Sequence, residues 1–87
     1  INNMKTFQII QDFGEGIKGF IYFDVPEGES LSAIEEKAVR VQQEDYKNRF
    51  SGWFGKSQEK KNLKVKEYCG KKHKPLKGGI QFKIKWR

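Results

Sequence analysis

Lys18-Gly19-Phe20-Ile21-Tyr22-Phe23-Asp24-Val25 places residues of opposite character on alternate sides of an extended chain. Ile21, Phe23 and Val25 fall on one face together with Ile17 and Gly19, whereas Lys18, Phe20, Tyr22 and Asp24 fall on the other. This predicts a strand that buries one face and displays aromatic rings and charge on the other. Pro26-Glu27-Gly28 stops it, because proline removes a backbone donor and the glycine offers a turn. Upstream, residues 4–11 (MKTFQIIQ) alternate less regularly and run into Asp12-Phe13-Gly14-Glu15-Gly16, where two glycines stand close together. Residues 4–11 and 17–25 are therefore expected to form a hairpin.

A helix follows the second strand. Ser32 and Glu35 have capping-box spacing, with Ser30 as the alternative cap. At 100° per residue Leu31, Ile34, Ala38 and Val41 form one apolar stripe, which Val39, Tyr46, Phe50 and Trp53 continue on the adjacent side. Arg40, Gln43, Glu44 and Lys47 make the opposite side polar, so the helix is expected to lie on a sheet. Gly52 and Gly55 predict that it ends near residue 50. Asp45 and Arg49 have the spacing of a local ion pair at the core margin, with a functional pair as the alternative. Trp53-Phe54 reads as a plug under the helix end or as an exposed contact.

After a polar connection at 56–62, Leu63-Lys64-Val65-Lys66-Glu67-Tyr68-Cys69 reads as a third strand. Residues 70–79 (GKKHKPLKGG) read as a long basic, flexible loop, either a finger that grips phosphate or a solvated connection. Residues 80–87 (IQFKIKWR) then alternate strictly. Ile80, Phe82, Ile84 and Trp86 belong to the core parity, and Gln81, Lys83, Lys85 and Arg87 to the other. The expected fold is a single small α+β domain over residues 1–87 in ββαββ order, a four-stranded, mainly antiparallel sheet with one helix on one face. The second face should stay open.

Length and composition agree with one domain. Eighty-seven residues, 36% apolar and 33% charged, leave room for one small core, to which seven Phe, three Tyr and two Trp supply large side chains. No run approaches the roughly 20 apolar residues of a membrane span, and residues 1–20 show no signal-peptide pattern. Met4 is a candidate natural start. A lone cysteine fits a reducing compartment, so a cytoplasmic location is expected. The net charge of +7 is unevenly distributed. Residues 1–55 hold six Lys/Arg against nine Asp/Glu, a net of −3, and residues 56–87 hold twelve against two, a net of +10. Such a field attracts a polyanion, whether nucleic acid, anionic lipid or an acidic protein.

Strand parity sends Lys18, Phe20 and Tyr22 outward from the second strand, and Lys64, Lys66 and Tyr68 outward from the third. Lys83, Lys85 and Arg87 point out from the fourth, while Leu63, Val65 and Cys69 go to the core. Cations that track phosphates beside rings that stack on bases are what single-stranded nucleic acid asks of a protein. Lys71, Lys72 and Lys74 would extend the basic track. Lysines and aromatics also recur on exposed antiparallel strands that bind nothing, since they support pairing and deter edge association.

Lys18-Gly19-Phe20-x-Tyr22 resembles the signature strand of RNA-recognition motifs. The resemblance covers eight of 87 residues. It departs where Ile21 replaces a small residue, Phe23 an aliphatic one and Val25 an aromatic one, and that family carries two helices where this chain shows one. It implies outward Phe20 and Tyr22 stacked on bases and assigns no family.

Catalytic chemistry is not expected. Cys69 and His73 are the soft metal ligands of the chain and fall short of a zinc site, so no metal or other cofactor is expected. A Cys69–His73 nucleophile is disfavoured by the core parity of Cys69. Asp12, Glu15 and Asp24 gather near the first hairpin without signs of a shared pocket, and Gly14-x-Gly16 is too short for a phosphate-binding loop. The leading expectation is a non-catalytic nucleic-acid-binding module, for DNA or RNA. The alternative is a small protein-binding regulator or inhibitor, of the type encoded by phages and mobile elements, that docks on an acidic or nucleic-acid-handling enzyme. Peripheral membrane attachment is weaker, because the helix lacks a basic polar face.

Overall fold

The computed structural model describes residues 3–49, 62–69 and 76–85. Strands β1 (Met4–Gly14) and β2 (Ile17–Pro26) are followed by helix α1 (Leu31–Arg49) and by strands β3 (Asn62–Tyr68) and β4 (Gln81–Lys85). They form a small α+β domain in the expected ββαββ order. All three strand pairs are antiparallel, and the sheet order is β2-β1-β3-β4. β1 is thus an inner strand, paired with β2 on one side and with β3 on the other.

Side chains lie close over both faces of β1 near its middle. Phe7 and Ile9 are fully buried on the helix side, and Gln8 is buried on the opposite side. Tyr22, whose Oη accepts from the Gln8 amide, helps cover that position, so β1 loses the apolar–polar rhythm there, whereas the other inner strand, β3, keeps it with Leu63, Lys64, Val65 and Lys66. The first hairpin closes tightly. Gly14 pairs with Ile17, and the two residues between them, Glu15 and Gly16, both have positive φ, 54° and 79°. This is the signature of a mirror-image turn whose twist suits a two-residue hairpin.

α1 begins at Ser30, the first of the two candidate caps. The Ala33 N–H donates to Ser30 Oγ at 3.2 Å, and the Ile34 N–H to the Ser30 carbonyl at 3.1 Å. Ile34 and Ala38 are buried and Val41 is half-buried, as the stripe predicts. Leu31 departs from it: as the first residue of the helix it lies a full turn ahead of the covered positions and is 48% exposed. Gln42 holds the buried place at the far end of the stripe and donates to the Lys85 carbonyl at 2.7 Å, tying α1 to β4.

The core lies between α1 and the sheet. It comprises Phe7, Ile9, Ile21, Phe23, Val25, Ile34, Ala38, Leu63, Val65 and Ile84, with Val39, Val41, Tyr46 and Phe82 packed against it. Phe7 and Phe23 stack at its centre with ring centroids 5.6 Å apart. Fully burying each large side chain of this kind stabilises the fold by roughly 1.5–3 kcal/mol.

Two residues of core parity lie beyond this core. Ile80 precedes β4 and comes level with Glu67, whose N–H donates to the Ile80 carbonyl at 2.9 Å. Its neighbourhood is the partly buried Glu67, which faces Lys5 at 4.0 Å, and Ile80 is 37% exposed. Cys69 follows the last residue of β3 and is also exposed. In both cases the alternation continues past the end of the covered sheet. Phe50, Trp53, Phe54 and Trp86 lie outside the described residues, as does the side chain of Arg49.

Candidate nucleic-acid interface

The strand registers define the face away from α1. Residues opposed in an antiparallel ladder share a face, so the pairings can be followed across all four strands. Asp24, Thr6 and Tyr68 form one row, followed by Tyr22, Gln8, Lys66 and Gln81. A third row contains Phe20, Ile10, Lys64 and Lys83. Lys18 opposite Asp12 and Asn62 opposite Lys85 complete it.

Eight of the twelve expected contact residues therefore come together: Lys18, Phe20, Tyr22, Lys64, Lys66, Tyr68, Lys83 and Lys85. Lys71, Lys72, Lys74 and Arg87 lie outside the described residues. Ile10, Asp12, Lys18, Asn62, Lys64 and Lys66, together with the core residue Leu63, line one depression of about 250 Å³.

The face is polarised. On the β2 and β1 side, Phe20 and Tyr22 are 40% and 39% exposed, with the half-buried Ile10 beside them. Tyr22 meets Tyr68 across β1 with ring centroids 4.9 Å apart and planes tilted by 53°. Beneath the two rings lies Gln8, whose amide donates to Tyr22 Oη at 3.2 Å. Gln8 therefore supports the rings, and Tyr22 is oriented rather than free to swing. On the β3 and β4 side, Lys64, Lys83 and Lys85 are exposed and Lys66 is half-buried. With no intervening carboxylate on that half among the described residues, their charges add.

Thr6, Gln8, Ile10, Asp12 and Asn62 complete the surface and were not among the residues that parity in β2, β3 and β4 singled out. The pairing of β1 with β2 and β3 brings the four β1 residues there, and Asn62 is placed by its pairing with Lys85 of β4. Asp12 and Asp24 place negative charge on the β2–β1 side, so the basic field is concentrated over β3 and β4. Thr6 Oγ1 donates to the Asp24 carboxylate at 2.7 Å.

Among the described residues, no three of His, Cys, Asp and Glu come together as a metal-binding group, and no helix is long and apolar enough to cross a membrane. No family model matches the chain, and neither the curated proteins nor the solved structures contain a match to it.

Proposed function

We propose that this protein is a non-catalytic module that binds single-stranded nucleic acid, DNA or RNA, on the open face of its sheet. The observation that carries the reading is the division of that face into an aromatic half and a lysine half. A single strand has the same division, with phosphates along one side and bases on the other. Lys64, Lys66, Lys83 and Lys85 would hold the phosphates, and Lys18 would reach a phosphate at the opposite margin. Phe20, Tyr22 and Tyr68 would stack on bases or sugars, each stack contributing about 1–3 kcal/mol. Residues 70–79 would extend the basic track through Lys71, Lys72 and Lys74, and Arg87 would lengthen it. A cytoplasmic setting belongs to the same reading, since it keeps a lone thiol reduced.

Fluorescence anisotropy with labelled single-stranded DNA, single-stranded RNA and duplex DNA tests the proposal. Lys83→Glu/Lys85→Glu should weaken single-strand binding by at least about tenfold, because each reversed charge replaces an attraction with a repulsion. Phe20→Ala should weaken it by about fivefold to a hundredfold and leave the salt dependence nearly unchanged. Absence of binding to all three probes at low salt would overturn the proposal.

The contact between Tyr22 and Tyr68, with Phe20 and Ile10 nearby, favours a second reading. Aromatic side chains gathered in one patch with a polar rim are also the anatomy of a protein hot spot. In that case the basic half would dock on an acidic partner, including the rim of a nucleic-acid-handling enzyme. The two readings separate on Phe20→Ala, which lowers oligonucleotide affinity only in the first.

A further inference from the structure

We infer that the outer edge of β2 pairs with β2 of a second copy of this chain, in a register centred on Ile21. β2 has ten residues and ends the sheet, with no described strand on its outer side. An exposed edge of that length is a template for another strand. Its sequence identifies which strand fits.

Consider two copies related by a two-fold axis through the sheet, so that both open faces stay on the same side. With Ile21 on the axis, Lys18 lies opposite Asp24 of the second copy and Asp24 opposite Lys18 of the second copy. Phe20 and Tyr22 are opposed in the same way, twice, on the open face. On the helix side Gly19 meets Phe23, the smallest residue on that face of the strand against the largest. Moving the register by two residues in either direction destroys the match. Centred on Tyr22, it sets Lys18 against Pro26 and Phe20 against Asp24. Centred on Phe20, it sets Lys18 against Tyr22 and leaves Asp24 against Gly16.

Only the Ile21 register pairs both opposite charges and both pairs of rings, and opposed pairs of these kinds are what stabilise antiparallel strands. Lys18, Phe20, Tyr22 and Asp24 are all exposed in the single chain. Lys37 of α1 donates to the Asp24 carbonyl and partly caps that end of the edge. The association is accordingly reversible rather than obligate. It would join two sheets into one of eight strands, with the aromatic halves adjoining at the centre and the lysine halves at the two outer ends.

Sedimentation velocity over a concentration series, without nucleic acid, tests the pairing. The wild-type chain should pass from monomer to dimer as concentration rises. Lys18→Asp should weaken the dimer by about tenfold, since two attractive pairs become repulsive, and Lys18→Asp/Asp24→Lys should restore it. A second measurement remains available if the charge swap disturbs folding. In a Cys69→Ser background, a mixture of Phe20→Cys and Tyr22→Cys chains should form the mixed disulfide faster than either chain forms its own. A chain that stays monomeric into the millimolar range, a dimer indifferent to Lys18→Asp, or mixed disulfides no faster than homodimeric ones would overturn the inference.

Discussion

Glu15 has a backbone φ of 54°, a left-handed conformation in which a side chain with a Cβ is strained. Asparagine is tolerated there better than glutamate and is the residue that mirror-image hairpin turns favour. Glu15→Asn should therefore stabilise the fold by about 0.5–1 kcal/mol, seen as a higher urea midpoint. A second residue under strain is Gln11. It is fully buried, and among the described residues neither its amide nitrogen nor its amide oxygen has a hydrogen-bond partner. An unpaired buried polar group costs roughly 1–3 kcal/mol, so Gln11→Met, of similar volume, should raise stability by about 1 kcal/mol in chemical denaturation. If the variant is less stable, the amide must hold an interior water or another partner. The sequence marks neither position by itself. Glu15 lies in the expected turn between glycines, where the sign of its φ is not legible, and Gln11 shares the buried parity of Phe7 and Ile9 although its polar side chain gives no hint of burial.

The elements owe their stability to a few specific attachments. Ser30 caps α1, and Ser30→Ala should cost about 1 kcal/mol in thermal or urea unfolding. Gln42 joins α1 to the outer strand β4 through the Lys85 carbonyl, and it is fully buried. Gln42→Ala removes that bond and opens a cavity, so it should cost about 2–3 kcal/mol. Amide exchange should show the loss first in β4, the five-residue strand that the bond secures. Element identity was legible from the sequence because β2 and β4 alternate and α1 repeats at helical spacing. Element ends were less so. Ile80 and Cys69 keep the core parity but lie past the covered part of the sheet, and local alternation carries no information about where coverage stops. The irregularity of residues 4–11 was visible, yet its cause is nonlocal, because Gln8 is buried on the open face with Tyr22 of β2 as its hydrogen-bond partner.

For the whole molecule, the sequence reveals the ββαββ order and the lysines of the open face. It does not reveal the strand order β2-β1-β3-β4, which separates the aromatic residues of β2 from the lysines of β3 and β4. Read strand by strand, rings and lysines are interleaved; across the sheet they are segregated, apart from Lys18 on β2 and Tyr68 at the end of β3. This distribution makes the proposed binding strongly electrostatic. Neutralising about five phosphates of a single strand should give a slope of log K against log salt near −3.5. Isothermal titration or anisotropy in increasing potassium chloride reads that slope, and a flat response would mean that the lysine half does not contact the backbone.

The proposed binding engages the open face of the sheet and leaves the outer side of α1 free. An NMR titration of the isotopically labelled protein with a short unlabelled single-stranded oligonucleotide, at low salt, tests it residue by residue. The predicted result is a set of saturable shift changes at Phe20, Tyr22, Lys64, Lys66, Tyr68 and Lys83, with Arg40, Gln43 and Lys47 on the outer side of α1 unaffected. Unchanged spectra, or changes confined to α1, would contradict it.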